Sequence, residues 1–135
     1  MIPVTQSIVN GGDGDCLRAA VASILDITLE EVPHFVRYKE RWFDMFYMFM
    51  NFHGWEMSGT WYASFYQGVK EEGSVNGYFI TIVPSSMFEG KTHAVIMDIS
   101  GTIVHDPNPN QFYKGKTKEE AGVLRWYVFK RKEKS

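Results

Sequence analysis

Apolar and polar positions alternate with two different periods in the two halves of the chain. In the first half, Leu17, Ala20, Val21, Ile24 and Leu25 recur at the spacing of one buried helical stripe. Asp13 or Asp15 can cap that helix, which puts Cys16 in its first turn. Thr28 and Glu31 have capping-box spacing, and Pro33 ends a short second helix. A longer helix is predicted from near Glu40 to His53, with Gly54 as its stop. Its sequence is apolar around most of the circumference, so burial is expected.

Residues 55–76 are mixed, and a short strand followed by a helical turn near 62–71 fits them. Beyond them the period shortens. Residues 77–83, 92–99, 102–106 and 123–130 are β-branched or aromatic, as strands are. Ser100-Gly101 suits a two-residue hairpin turn, and the Pro- and Asn-rich stretch at 107–120 is expected to be a loop. Helices first and antiparallel strands afterwards predict an α+β fold, N-terminal helices packed on a C-terminal sheet. The length of 135 residues, without repeats or linkers, suits a single domain over 1–135.

Composition excludes several function classes. The net charge of -2 gives no electrostatic case for a nucleic-acid partner. The most apolar run, 45–50, is far shorter than the ~20 residues of a membrane span, so no membrane partner is expected. A single cysteine cannot form an internal disulfide and suits a reducing, cytoplasmic setting. Four histidines are present, but their spacing matches no common zinc motif, and neither metal nor cofactor is expected. His34 and His105 read as structural.

The lone thiol raises the question of chemistry. A helix N-terminus favours a thiolate, and an imidazole held by a third group favours it further. If Ser100-Gly101 is the hairpin loop, Ile96 faces His105 and Val95 faces Asp106. His93 then shares a face with Asp106 as a diagonal neighbour, roughly 7–8 Å away between backbones. A one-residue slip would reverse that arrangement.

Two stretches carry a family resemblance: GDCLRAAVASILDITLEEVPHF and THAVIMDISGTIVHDPNPN, residues 14–35 and 92–110. In this order they resemble the papain-like cysteine peptidase superfamily, closest to small C39-like members of bacteria and bacteriophages. The resemblance implies a papain-like fold with Cys16 as nucleophile, His93 as base and Asp106 as orienting group. It also implies that the Gln6 side chain helps hold an oxyanion, although Gln6 lies farther before the cysteine than is usual. The substrate would then be a peptide or protein, attacked at a peptide, isopeptide or other amide bond, by hydrolysis or acyl transfer. In so short a chain the cleft would be shallow or lined by the aromatic segment, making Trp61, Tyr62 and Tyr66 candidates for substrate contact.

Two other classes compete. One is a binding or inhibitor protein on the same scaffold, which sequesters a small molecule or host protein without catalysis. The other is an interaction module that docks through apolar residues of the 42–52 helix.

Overall fold

The computed structural model describes residues 1–9, 14–64 and 68–133. Asp13 and Tyr66 lie outside the described residues. Helix α1 spans Cys16–Leu25 and helix α2 spans Trp42–Phe52. Two 3-10 segments, Leu29–Glu31 and Phe35–Arg41, join them. The strands are β1 (Trp55–Tyr62), β2 (Tyr78–Pro84), β3 (Thr92–Asp98), β4 (Ile103–His105) and β5 (Arg125–Arg131). A short helix α3, Lys118–Ala121, precedes β5. All strand pairs are antiparallel, in the order β1-β5-β2-β3-β4. The fold is therefore α+β. No helix among the described residues is long and apolar enough to cross a membrane.

The sheet divides the hydrophobic interior in two. Leu17, Val21 and Ile24 of α1 and Phe46 and Met50 of α2 cover one face, packing on Ile80, Ile82, Ala94, Ile96, Tyr127 and Phe129. Strand alternation sends Phe79, Val83, Val95, Met97, Trp126 and Val128 to the other face. There Tyr113, Ala121 and Val123, from the segment between β4 and β5, cover them.

Several sequence expectations need correction. Asp15 occupies the N-cap position of α1, but its carboxylate makes no hydrogen bond to the helix. It accepts instead from the Ser7 hydroxyl at 2.7 Å and the Ile8 N–H at 2.8 Å. The helical turn expected near 62–71 falls in part on residues 65–67, which lie outside the described residues. The expected loop after Pro107 ends in α3, where the Thr117 hydroxyl accepts from the Glu120 N–H.

Helix α2 is not largely buried. Its inner stripe is Phe46 and Met50, while Met48 is 59% and Phe52 84% exposed. Phe46 meets Phe35, Tyr127 and Phe129 edge-on, at ring separations of 5.7, 5.3 and 6.2 Å. One stripe is all that a helix on the surface of a sheet can bury. We therefore expect Phe46→Ala to lower the unfolding free energy by about 3–5 kcal/mol, and Phe52→Ser to change it by less than about 0.5 kcal/mol. Urea denaturation followed by circular dichroism measures both.

Candidate active site

Cys16 opens α1, where the first-turn N–H groups have no carbonyl partners within the helix. The helix lies against β3, and the Ala94 N–H donates to the Cys16 sulfur at 3.5 Å. His93, one residue earlier on β3, pairs with Val83 and by parity belongs to the face away from α1. The thiol reaches the start of the strand from one side of the sheet and the imidazole from the other.

Behind His93 stands Asp106, 1% exposed. Its Oδ1 lies 2.6 Å from His93 Nε2. The same oxygen accepts from the Asn108 N–H at 2.9 Å, and Oδ2 accepts from the Tyr113 N–H at 3.0 Å. With Nε2 turned to the carboxylate, Nδ1 is the nitrogen left for the thiol. Tyr113 stacks on the imidazole at 6.4 Å and donates its hydroxyl proton to the Pro84 carbonyl. Its place in a loop of no apolar period hid it from the sequence reading.

The hairpin delivers this geometry by an unexpected route. Ile96 pairs with His105 as anticipated, but Met97 pairs with Ile103. Val104 is therefore an extra residue in β4, a β-bulge. The turn is also not the expected two-residue loop. Asp98 N–H bonds the Thr102 carbonyl, so Ile99, Ser100 and Gly101 form the loop, with Gly101 at φ +83°. A three-residue loop that ends in a left-handed glycine is a standard hairpin connection. The Asp98 carboxylate braces it by accepting from Ser100 and Thr102 N–H. The loop displaces the register by one residue and the bulge restores it before the site.

Gln6 lines the same cleft as Cys16 and His93. The Gln6 N–H donates to the Pro107 carbonyl at 2.9 Å, which ties residue 6 to the turn after Asp106. The side-chain amide is buried. Nε2 donates one hydrogen to the Ile8 carbonyl at 2.7 Å, leaving its second for another acceptor. The segment is held beside α1 by Asp15 through Ser7 and Ile8, and the Asp15 N–H returns a bond to Ile8. These bonds span the long gap between Gln6 and Cys16.

Among the described residues, the cleft encloses about 370 Å³. Trp42, Val36, Phe88 and Tyr127 form its apolar walls, and Ser85, Ser86 and Asn108 add polar groups. Trp61 and Tyr62, expected at the cleft, are not among its described lining. Trp61 pairs with Trp126 and packs on it at 5.9 Å, on the far face of the sheet. Tyr62 pairs with Arg125 and so projects to the cleft side, half exposed, one strand beyond the lining. His105 is buried, with Nε2 2.7 Å from the Val4 carbonyl, which suits a structural role.

The electrostatics follow from these contacts. Burial by itself would lower the His93 pKa. Hydrogen bonds with Asp106 and Cys16, and the negative charge of both partners, outweigh burial and raise it from 6.5 to about 9. Burial would raise the Asp106 pKa, but the His93 hydrogen bond and charge, then the Tyr113 and Asn108 N–H groups, hold it below the usual carboxylate value. Together the three groups can keep a thiol next to a charged, oriented imidazole.

No protein-family model matches the chain, and neither a curated protein nor a solved structure is significantly similar to it.

A raised His93 pKa stabilises the fold below its ordinary value of 6.5, and that contribution is lost as pH rises through about 9. A lowered Asp106 pKa stabilises above the ordinary carboxylate value and is lost on acidification. We expect the His93 ring resonances to titrate near pH 9, and at lower pH in Asp106→Asn. Nuclear magnetic resonance against pH checks this, and a midpoint near 6.5 in the native chain would contradict it.

Proposed function

We propose that the chain is a papain-like, thiol-dependent hydrolase that cleaves a peptide, isopeptide or other amide bond. The observation that carries this reading is that Cys16 and His93 line one accessible cleft, with a buried Asp106 bonded to the imidazole from behind. A buried carboxylate with three donors, one of them an imidazole that also bonds the lone cysteine, is more organisation than an inert core thiol needs.

The chemistry proceeds in two halves. His93 takes the Cys16 thiol proton as the sulfur attacks the carbonyl carbon, and the negative oxygen of the tetrahedral intermediate accepts the free Gln6 Nε2 hydrogen and an N–H at the start of α1. The C–N bond breaks, the imidazolium of His93 gives its proton to the departing amine, and a thioester remains. His93 then takes a proton from water as the hydroxyl oxygen attacks the thioester. The C–S bond breaks, a carboxylic acid leaves, and sulfur recovers a proton shared with His93. An amine in place of water would complete acyl transfer by the same steps. Asp106 holds the ring with Nδ1 toward the thiol throughout.

Cys16→Ala is expected to keep the fold and to abolish covalent labelling by acyl electrophiles, read by intact mass. Iodoacetamide at pH 6 is expected to alkylate the native chain at least about tenfold faster than His93→Ala, because only the native chain keeps an imidazole beside the thiol to assist the attacking sulfur. Equal rates in the two proteins would remove the enzyme reading and leave a binding protein on this scaffold.

A further inference from the structure

The cleft has a charge character opposite to that of the chain. The whole sequence carries a net charge of -2. Among the described residues lining the cleft there is no aspartate or glutamate, whereas Lys91, His93 and Arg125 all line it. Asp106 is sequestered behind His93 and does not line it.

Arg125 stands out among these cations. It is partly buried, and its guanidinium has no hydrogen-bond or ion-pair partner among the described residues. Two other arginines are engaged. Arg18 donates to the Val32 carbonyl and approaches Asp15, and Arg131 lies over the Trp55 ring. A guanidinium stays charged at every working pH and presents a planar fork that matches a carboxylate. Partial burial without a counter-ion leaves its charge only partly hydrated.

The ladder fixes where this cation stands. Arg125 pairs with Ile82, and Ile82 pairs with Ala94. The three residues form one row across β5, β2 and β3 and project to the α1 side, where Ile82 and Ala94 contact the helices. Strands are about 4.8 Å apart, so the Arg125 backbone is about 10 Å from that of Ala94. The Ala94 N–H in turn lies 3.5 Å from the Cys16 sulfur. An extended peptide advances about 3.3 Å per residue. A carboxylate one to three residues from an attacked carbonyl therefore falls within the span between thiol and guanidinium.

We propose that Arg125 determines specificity at the thiol site by selecting acidic peptides, those with a carboxylate within three residues of the scissile bond. This rests on the reading of Cys16 as nucleophile. Lys91, exposed at the rim, adds to the attraction. The carboxylate can be an acidic side chain or a chain terminus, since both present the same pair of oxygens.

The test uses the full chain and two sets of short peptide electrophiles. One set carries a C-terminal vinyl sulfone and the other an N-terminal acrylamide. Each has Glu at one, two or three residues from the alkene, with Gln at the same place in its control. Sulfur adds to the alkene carbon β to the activating group and a proton goes to the carbon next to that group, so no other reactant is needed. Neutral acrylamide peptides with a free or an amidated C-terminus distinguish a terminal carboxylate from a side chain. We expect at least one acidic probe to label Cys16 roughly tenfold faster than its control, about the effect of one charge-assisted hydrogen bond. That ratio should fall towards one in Arg125→Gln and survive in reduced form in Arg125→Lys. Equal rates for every matched pair in the native chain, or an unchanged ratio in Arg125→Gln, would overturn the proposal. Calorimetry of unreactive acidic and neutral peptides with Cys16→Ala reads anion recognition without the thiol. Selective binding of the acidic peptide there, with no probe labelling the native chain, would sink the nucleophile and keep the anion site. Labelling without acidic preference would do the reverse.

Discussion

The structure is organised around a buried carboxylate that must stay ionised. Removing an anion from water costs several kcal/mol unless hydrogen bonds replace the lost hydration. Asp106 meets that cost with three donors: the His93 ring and the N–H groups of Asn108 and Tyr113. Each donor belongs to a different stretch of backbone, so satisfying one carboxylate also sets β3, the turn after β4 and the loop that covers the rear of the sheet. A second buried carboxylate, Asp15, has the same role on the other side of the thiol. It draws in Ser7, Ile8 and Arg18, and so holds the chain's start against α1. Cys16 follows this second anchor directly and faces the imidazole held by the first.

This arrangement tolerates little slippage. Side chains on a strand change face with each residue, so one step of register would turn Asp106 away from His93. The loop after Asp98 takes a residue that a tight turn would not, and the bulge at Val104 takes another from β4. The two irregularities cancel at Ile96 and His105. A bulge near a functional site commonly re-aims one side chain without disturbing its neighbours, and here the re-aimed group is the carboxylate.

The same considerations explain what could be read from the sequence. The stripe of Leu17 through Ile24 and the β-branched runs at 78–84 and 92–98 are local patterns, and they formed helix and strands as expected. The proximity of His93 and Asp106 was legible because a hairpin converts sequence separation into spatial pairing. The bulge was not, since it depends on a loop whose length the polar positions do not specify. Asp15 looked like a cap because its residue type and position suit one, yet the Ser7 hydroxyl and the Ile8 N–H take its oxygens. The aromatic segment misled for a different reason. Trp61 is apolar enough for either face of β1, and only its pairing with Trp126 assigns it to the rear. Helix α2 likewise has apolar residues on every side, but a sheet offers a surface to one stripe alone.

That division of the sheet bears on how chemistry and recognition are joined. The front row, Ala94, Ile82 and Arg125, is held by the hydrogen-bond ladder of three adjacent strands. The sulfur is tethered at one end of the row through the Ala94 N–H, and the guanidinium stands at the other. Ladders between central strands are among the last parts of a protein to open, whereas loops open readily. Their separation is thus set by covalent geometry and strand spacing, not by loop conformation. Three of the apolar walls, Val36, Trp42 and Phe88, come from segments outside the ladder, whereas Tyr127 belongs to β5. The division places invariant distances on the sheet and adjustable contacts on the connections. On the proposed reading, it also lets a chain of 135 residues combine a fixed reaction centre with a groove for an extended ligand.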